Sequence, residues 1–273
     1  MNRTPLPSGE LSRKTISSSS SAKKQKIYSA AAKTLSVLAA FGVWWLAAAL
    51  IGNSLLATPY ETLERLFKII AEDDFFSVIL KTFLRIAVGL FSGIAVGTVF
   101  AVLAARFKFF EIFLWPYTVT VKSIPVASFT VVALILLTSS KLVSFVSFLM
   151  VAPVVYTNLL DGINSLDIKM LELAKVYKMP ALKRFRYIRL PALKPFILSA
   201  LKISIGLSWK SGVAAELIGI PSGTVGEKLY FSKVYFDTAE LFAWTLIVVL
   251  LSLAFEKLFI LAVQKILERQ ESV

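Results

Sequence analysis

The chain has 273 residues, 57% of them hydrophobic and 17% charged, with a formal net charge of +13 and a mean hydropathy of +0.75. Soluble domains carry roughly 25% charged residues, so this balance points to a membrane protein rather than a soluble one. The absence of cysteine and histidine excludes disulfides, thiol nucleophiles, histidine triads and Cys/His metal sites.

Residues 1–33 are polar, basic and serine-rich ("SRKTISSSSSAKKQK") and are expected to form a disordered cytoplasmic tail. The apolar run behind them is too long for a signal-peptide core. A helix needs about 20 mostly apolar residues to cross a bilayer. Thr34 to Gly52, free of charge and carrying Trp44 and Trp45, is the first such segment.

The acidic connector that follows, "TPYETLERLFKIIAEDD", spaces Leu63, Leu66 and Ile70 as a helix would; a short interfacial helix and a solvated connector both fit. Ile86 to Ala105 is the second span. Its Gly89, Gly93 and Gly97 recur every four residues, a spacing that lets helices approach closely in lipid, although glycine is also simply common in membrane helices.

The third span is long and broken, about Ile112 to Ser140, with Lys122 and a kink at "SIPVAS" inside it. Leu142 to Leu160 is the fourth. Phe196 to Ile220 is the fifth, interrupted by Lys202, Lys210 and Glu216. Leu241 to about Val263 is the sixth, with Glu256 and Lys257 as interfacial anchors in its second half. The predicted fold is an all-α integral membrane protein of six transmembrane helices. The permease domain covers residues 34–265, and a cytoplasmic tail covers 266–273. Lys and Arg crowd the first tail, the second and fourth loops and the last tail, which puts both termini in the cytoplasm. The positive charge follows the loops, so nucleic acid is not an expected partner. No GxxxxGK[ST] is present, and no catalytic or metal-binding cluster stands out.

The fourth loop, about residues 161–191, is the unusual one. "SLDIKMLELAKVYK" reads as a helix capped by Asn164, Ser165 or Asp167, with Met170, Ala174 and Tyr177 at helical spacing. Met179-Pro180 breaks it. "ALKRFRYIRL" then reads as a second short helix, with Pro191 ahead of the next span. An amphipathic pair held to anionic headgroups and a docking knob for a soluble partner both fit this pattern.

These residues resemble the permease subunits of bacterial ABC importers. That family carries a cytoplasmic signature E-A-A, three residues, G, nine residues, I-x-L-P. Glu172, Ala174, Ile188, Leu190 and Pro191 match it with spacing intact; Leu173 replaces an alanine and Lys178 the glycine. "TFLRIAVGLFSGIAVG", "KSIPVAS" and "GLSWKSGVAAELIG" are similar to successive segments of the nitrate/sulfonate/taurine-type branch, while "LLTSS" departs from it. The similarity covers about residues 75–265.

The resemblance implies a type I importer permease, a homodimer in the cell membrane that contacts lipid. Its two-helix coupling loop, between spans four and five, would engage a cytoplasmic ATP-binding subunit. A solute-binding protein outside would deliver the substrate. ATP would be bound by the partner, so the chain itself would need no cofactor and would be no enzyme. Glu172, Ala174, Lys178, Ile188, Leu190 and Pro191 would form the coupling site. Within the fifth span, Trp209, Lys210 and Glu216 are candidate pathway residues: intramembrane charges usually face a cavity or a partner, and Trp209 could equally face lipid. The alternative is a self-sufficient secondary transporter or channel, which would predict inverted repeats.

Overall fold

The computed structural model describes residues 32–52 and 55–271, and every described element is helical. Most of the basic N-terminal tail therefore lies outside the described residues. The described chain divides into two compact units, residues 1–62 and 63–273.

In the first unit, α1 (Ala32–Ile51) is long and apolar enough to cross a membrane. The Trp44 indole donates to the Ala57 carbonyl at 3.0 Å. The helix α2 (Pro59–Ile70), which belongs to the second unit from Leu63 onward, starts at a reciprocal cap: the Glu61 amide donates to Thr58 Oγ1 and the Thr58 amide to Glu61 Oε2, with Pro59 at the first helical position. The acidic connector is thus helical.

In the second unit, α3 (Phe75–Arg106) is longer than the 86–105 span read from sequence. It absorbs Lys81 and Arg85, because helix continuation keeps backbone groups paired while long cationic side chains reach outward. Then come α4 (Lys108–Ser123) and α5 (Val126–Leu136), bent by 108° at Ile124-Pro125. The expected kink is close to a right angle. Proline at 125 has no N–H and forces Ile124 into an extended conformation (ψ 131°), so the helix ends there. Ser139 and Ser140 belong to the next helix, α6 (Ser139–Asn164). α7 (Ile168–Val176), α9 (Leu190–Gly219), α10 (Val225–Val234) and α11 (Thr238–Glu271) complete the unit. Helix α11 continues through residues 266–271, which composition alone assigns to a tail. Five described helices are long and apolar enough to cross a membrane, and the bent α4–α5 pair makes a sixth if counted as one span.

Helix α6 lies between α3 and α9 and packs on both. The glycine face of α3 lies on α6. A Cβ at Gly93 would meet Val151 Cβ at 2.8 Å, one at Gly97 would meet the Ala152 carbonyl at 2.6 Å, and one at Gly89 would collide with the Ser144 carbonyl. Ile86, Leu90, Val151, Ile205 and Trp209 form the core between α3, α6 and α9. A second core at the other end joins Leu66, Ile69, Phe75 and Trp244.

Candidate functional site: a basic knob and a buried carboxylate at opposite ends of one helix

The 165–191 segment folds as follows. Asp167 caps α7 by accepting from the Lys169 amide at 2.8 Å. At the far end the Lys178 amide donates to the Lys175 carbonyl and the Met179 amide to the Ala174 carbonyl, both at 2.9 Å. These two bonds are the Schellman pair, and they require a left-handed residue between them. Lys178 supplies it with φ +50°. The lysine at the family's glycine position therefore adopts the glycine conformation.

The second short helix is not separate from the span. A four-residue turn, α8 (Ala181–Arg184), passes through a π-helical turn over Phe185–Arg189 directly into α9, so one helical rod runs Ala181–Gly219. This corrects the reading of two coupling helices followed by a new span at Phe196. The reason lies at Pro191. In a regular α-helix its ring would press on the Tyr187 carbonyl four residues back; the wider turn, in which the Leu190 amide reaches back to the Phe185 carbonyl, relieves that clash without ending the helix.

Of the signature residues, Glu172 and Lys178 are exposed, Ala174 and Leu190 are buried, and Ile188 and Pro191 are half-buried. The apolar stripe that faces outward on α7 is Met170, Leu173 and Tyr177, with Leu173 54% and Tyr177 76% exposed. Ala174 turns inward. Leu173, the other departure from the family pattern, thus stands on the exposed stripe.

Glu216 lies near the opposite end of the same rod and is fully buried. Its Oε2 accepts from Thr82 Oγ1 on α3 at 2.9 Å and from the Gly226 amide at 3.1 Å. Thr82 Oγ1 in turn accepts from the Val225 amide at 3.0 Å. The local chain builds this clasp. Ile220, left-handed at φ +47°, ends α9, and the turn through Thr224 brings the first amides of α10 back onto Glu216. Free amides at a helix start favour a carboxylate. The approach is so close that a Cβ at Gly226 would overlap Glu216 Cβ. Glu216 Oε1 and Arg85 Nη1 are buried and have no hydrogen-bond partner among the described residues.

Trp209 is buried at 3% exposure, its ring packed at a tilt against Phe83 and Phe255 in the chain's own core, while Lys210 beside it is exposed. The rod thus brings the pathway candidates and the last three signature residues, Ile188, Leu190 and Pro191, onto one element at separated heights, while Glu172, Ala174 and Lys178 sit on α7 and its turn. Sequence reasoning missed Thr82 and Gly226. Thr82 had a signal: it falls seven residues before Gly89, on the same helical face as the glycine seam.

Fold and site together define a multi-pass helical membrane protein whose interior polar group clasps three helices. Residues 93–272 match the model of the binding-protein-dependent transport system inner membrane component, and the chain belongs to that family. It is an ABC importer permease of the branch that includes sulfonate and nitrate permeases. A Bacillus subtilis (strain 168) protein bearing the name of an aliphatic sulfonates transport permease, SsuC, is 26% identical over 72% of this chain and 71% of its own length. A Brucella abortus (strain 2308) protein named as an ABC transporter permease is 27% identical over 87% of this chain and 94% of its own. The nitrate import permease protein NrtB of Leptolyngbya laminosa is 29% identical over 55% of this chain and 53% of its own.

Proposed function

We propose that this chain is the translocation subunit of an ATP-driven, binding-protein-dependent importer of a small anionic solute. It crosses the cell membrane six times with both termini in the cytoplasm, pairs with a second copy, engages a separate ATPase through α7 and the Lys178 turn, and receives solute from a binding protein outside. The observation that carries this reading is the exposed Met170–Leu173–Tyr177 stripe on a capped knob, which the Lys178–Pro180 turn joins to the unbroken Ala181–Gly219 rod. A monomer gains nothing from an apolar stripe ringed by Lys169, Lys175 and Lys178; a partner surface does.

Closure of the ATPase would move the knob, and the rod would carry that motion to its other end. There the Glu216 clasp joins α9 to α3 and α10, so it is the point at which such motion opens or reseals the pathway. Lys210 would face the solute and Trp209 would brace that stretch from the core. The anionic class is supported by the sulfonate and nitrate named for two relatives and by the exposed Lys210.

Glu172→Lys reverses an exposed charge on α7. Reconstituted with its ATPase and binding protein, this variant should insert normally but lose at least about tenfold of uptake, the scale of one interfacial charge pair. Wild-type uptake by the variant would remove the docking reading. Gradient-driven uptake by this chain alone would favour a secondary transporter.

A further inference from the structure

An open groove runs between α3, α6 and α9 and ends beside α7. On α3 its wall is Ile94, Thr98 and Val102, eight residues from first to last, or about 12 Å of helix. On α9 it runs from Leu190 to Leu201, about 16 Å. The wall is apolar throughout except Thr98, whose hydroxyl is satisfied by the Ile94 carbonyl at 2.7 Å. Val102, Ile163, Phe185 and Leu193 line both this groove and a wider mouth below it, so the two are continuous.

The mouth has a different chemistry. Arg106, at the end of α3, and Arg189, in the π-turn, both line it, with Asn164 between their helices. Among the described residues neither arginine pairs with a carboxylate. Two guanidiniums at the open end of an apolar slot match an anionic headgroup carrying an acyl chain. The slot's length matches one leaflet, about 15 Å of hydrocarbon. A soluble anion would leave the slot unused, and a neutral lipid would leave both arginines unpaired.

We propose that this groove binds one anionic phospholipid, its phosphate between Arg106 and Arg189 and one acyl chain along α3 and α9. Ile168 and Leu171 of α7 also line the mouth, so the lipid braces the knob against the bundle. Placing it in the cytoplasmic leaflet rests on the orientation proposed above; its binding does not.

The test is native mass spectrometry of the full-length chain, delipidated in detergent and offered equimolar phosphatidylglycerol and phosphatidylcholine. The wild type should retain phosphatidylglycerol preferentially. Arg106→Gln with Arg189→Gln should cut that preference about twenty-five-fold, at about fivefold for each cation near a headgroup. The paired lysine variant should keep most of it. Thr98→Trp, which fills the slot and leaves both arginines in place, should lose the lipid even if the glutamine variant fails to fold. Equal retention of the two lipids, or undiminished retention by Thr98→Trp, would overturn the proposal. So would displacement of the lipid by millimolar inorganic phosphate, which would mark a soluble-anion site. A change of oligomeric state in Thr98→Trp would assign the groove to a second copy instead.

Discussion

Lys178 holds a left-handed backbone in which a side chain costs about 1–2 kcal/mol relative to glycine. The two Schellman bonds at its flanks hold it there. Lys178→Gly should therefore slow hydrogen exchange of the Lys178 and Met179 amides by about fivefold or more, since about 1 kcal/mol less strain opposes the closed turn. A β-branched substitute such as Lys178→Val should do the reverse. Gly226 and Gly206 make a second contrast at this scale. A Cβ at Gly226 would run into Glu216, whereas one at Gly206 meets nothing within 4 Å. Gly226→Ala should destabilise by about 1–3 kcal/mol through overpacking. Gly206→Ala, in mid-helix, should stabilise by about 0.5–1 kcal/mol. Denaturation in detergent reads both, and a common sign for the two would contradict the close approach of α10 to α9.

The helices themselves follow from apolar run length, which is why α1, α6 and α11 start within a few residues of their predicted positions. Their ends are less legible. Length-counting stops at charge, but Lys81, Arg85 and the 266–271 residues continue their helices, because an unpaired backbone costs more than an outward-reaching cation. The α8–α9 junction was illegible for a different reason: a proline reads as a boundary, and only the π-turn shows how the chain passes through it. The clasp was half legible. A carboxylate in a span declares itself, but its partners are a threonine of α3 and the Gly226 amide, which the turn after Ile220 brings back onto it. The Arg65–Glu240 ion pair between α2 and α11 had no signal in sequence, its partners being 175 residues apart. Arg65 donates to Glu240, which raises the guanidinium above its ordinary value against partial burial. The guanidinium stays protonated in the folded and the unfolded chain until the strongly alkaline range, so substitution tests this pair better than titration. Glu240 Oε1 also accepts from the buried Trp244 indole at 3.3 Å. Glu240→Ala should then cost about 1–3 kcal/mol, the range for stranding buried donors, and release α2 to faster exchange.

At the scale of the molecule, the rod Ala181–Gly219 is the one described element that reaches from the exposed knob to the buried carboxylate. Its rotational register is therefore a functional quantity. The π-turn inserts an extra residue relative to an α-helix, and each residue of helix turns the chain by about 100°. That turn sets the azimuth of α8 relative to Glu216, and with the Lys178 turn it sets that of the Met170–Leu173–Tyr177 stripe. Pro191 is what holds the wide register, since alanine there would restore a donor and remove the ring that presses on Tyr187. Pro191→Ala should leave the α3–α6–α9 core and thermal stability within about 1 kcal/mol of the parent, because Pro191 is only half-buried. It should nevertheless turn the knob away from its partner. The expected phenotype is an inserted protein that unfolds like the parent, with binding-protein-stimulated ATP hydrolysis and uptake both reduced. Spin labels at Leu173 on α7 and at Lys210 on the rod would report the changed register directly. An unchanged distance distribution with full coupling would mean that the π-turn is a packing detail and that α9 does not act as a lever.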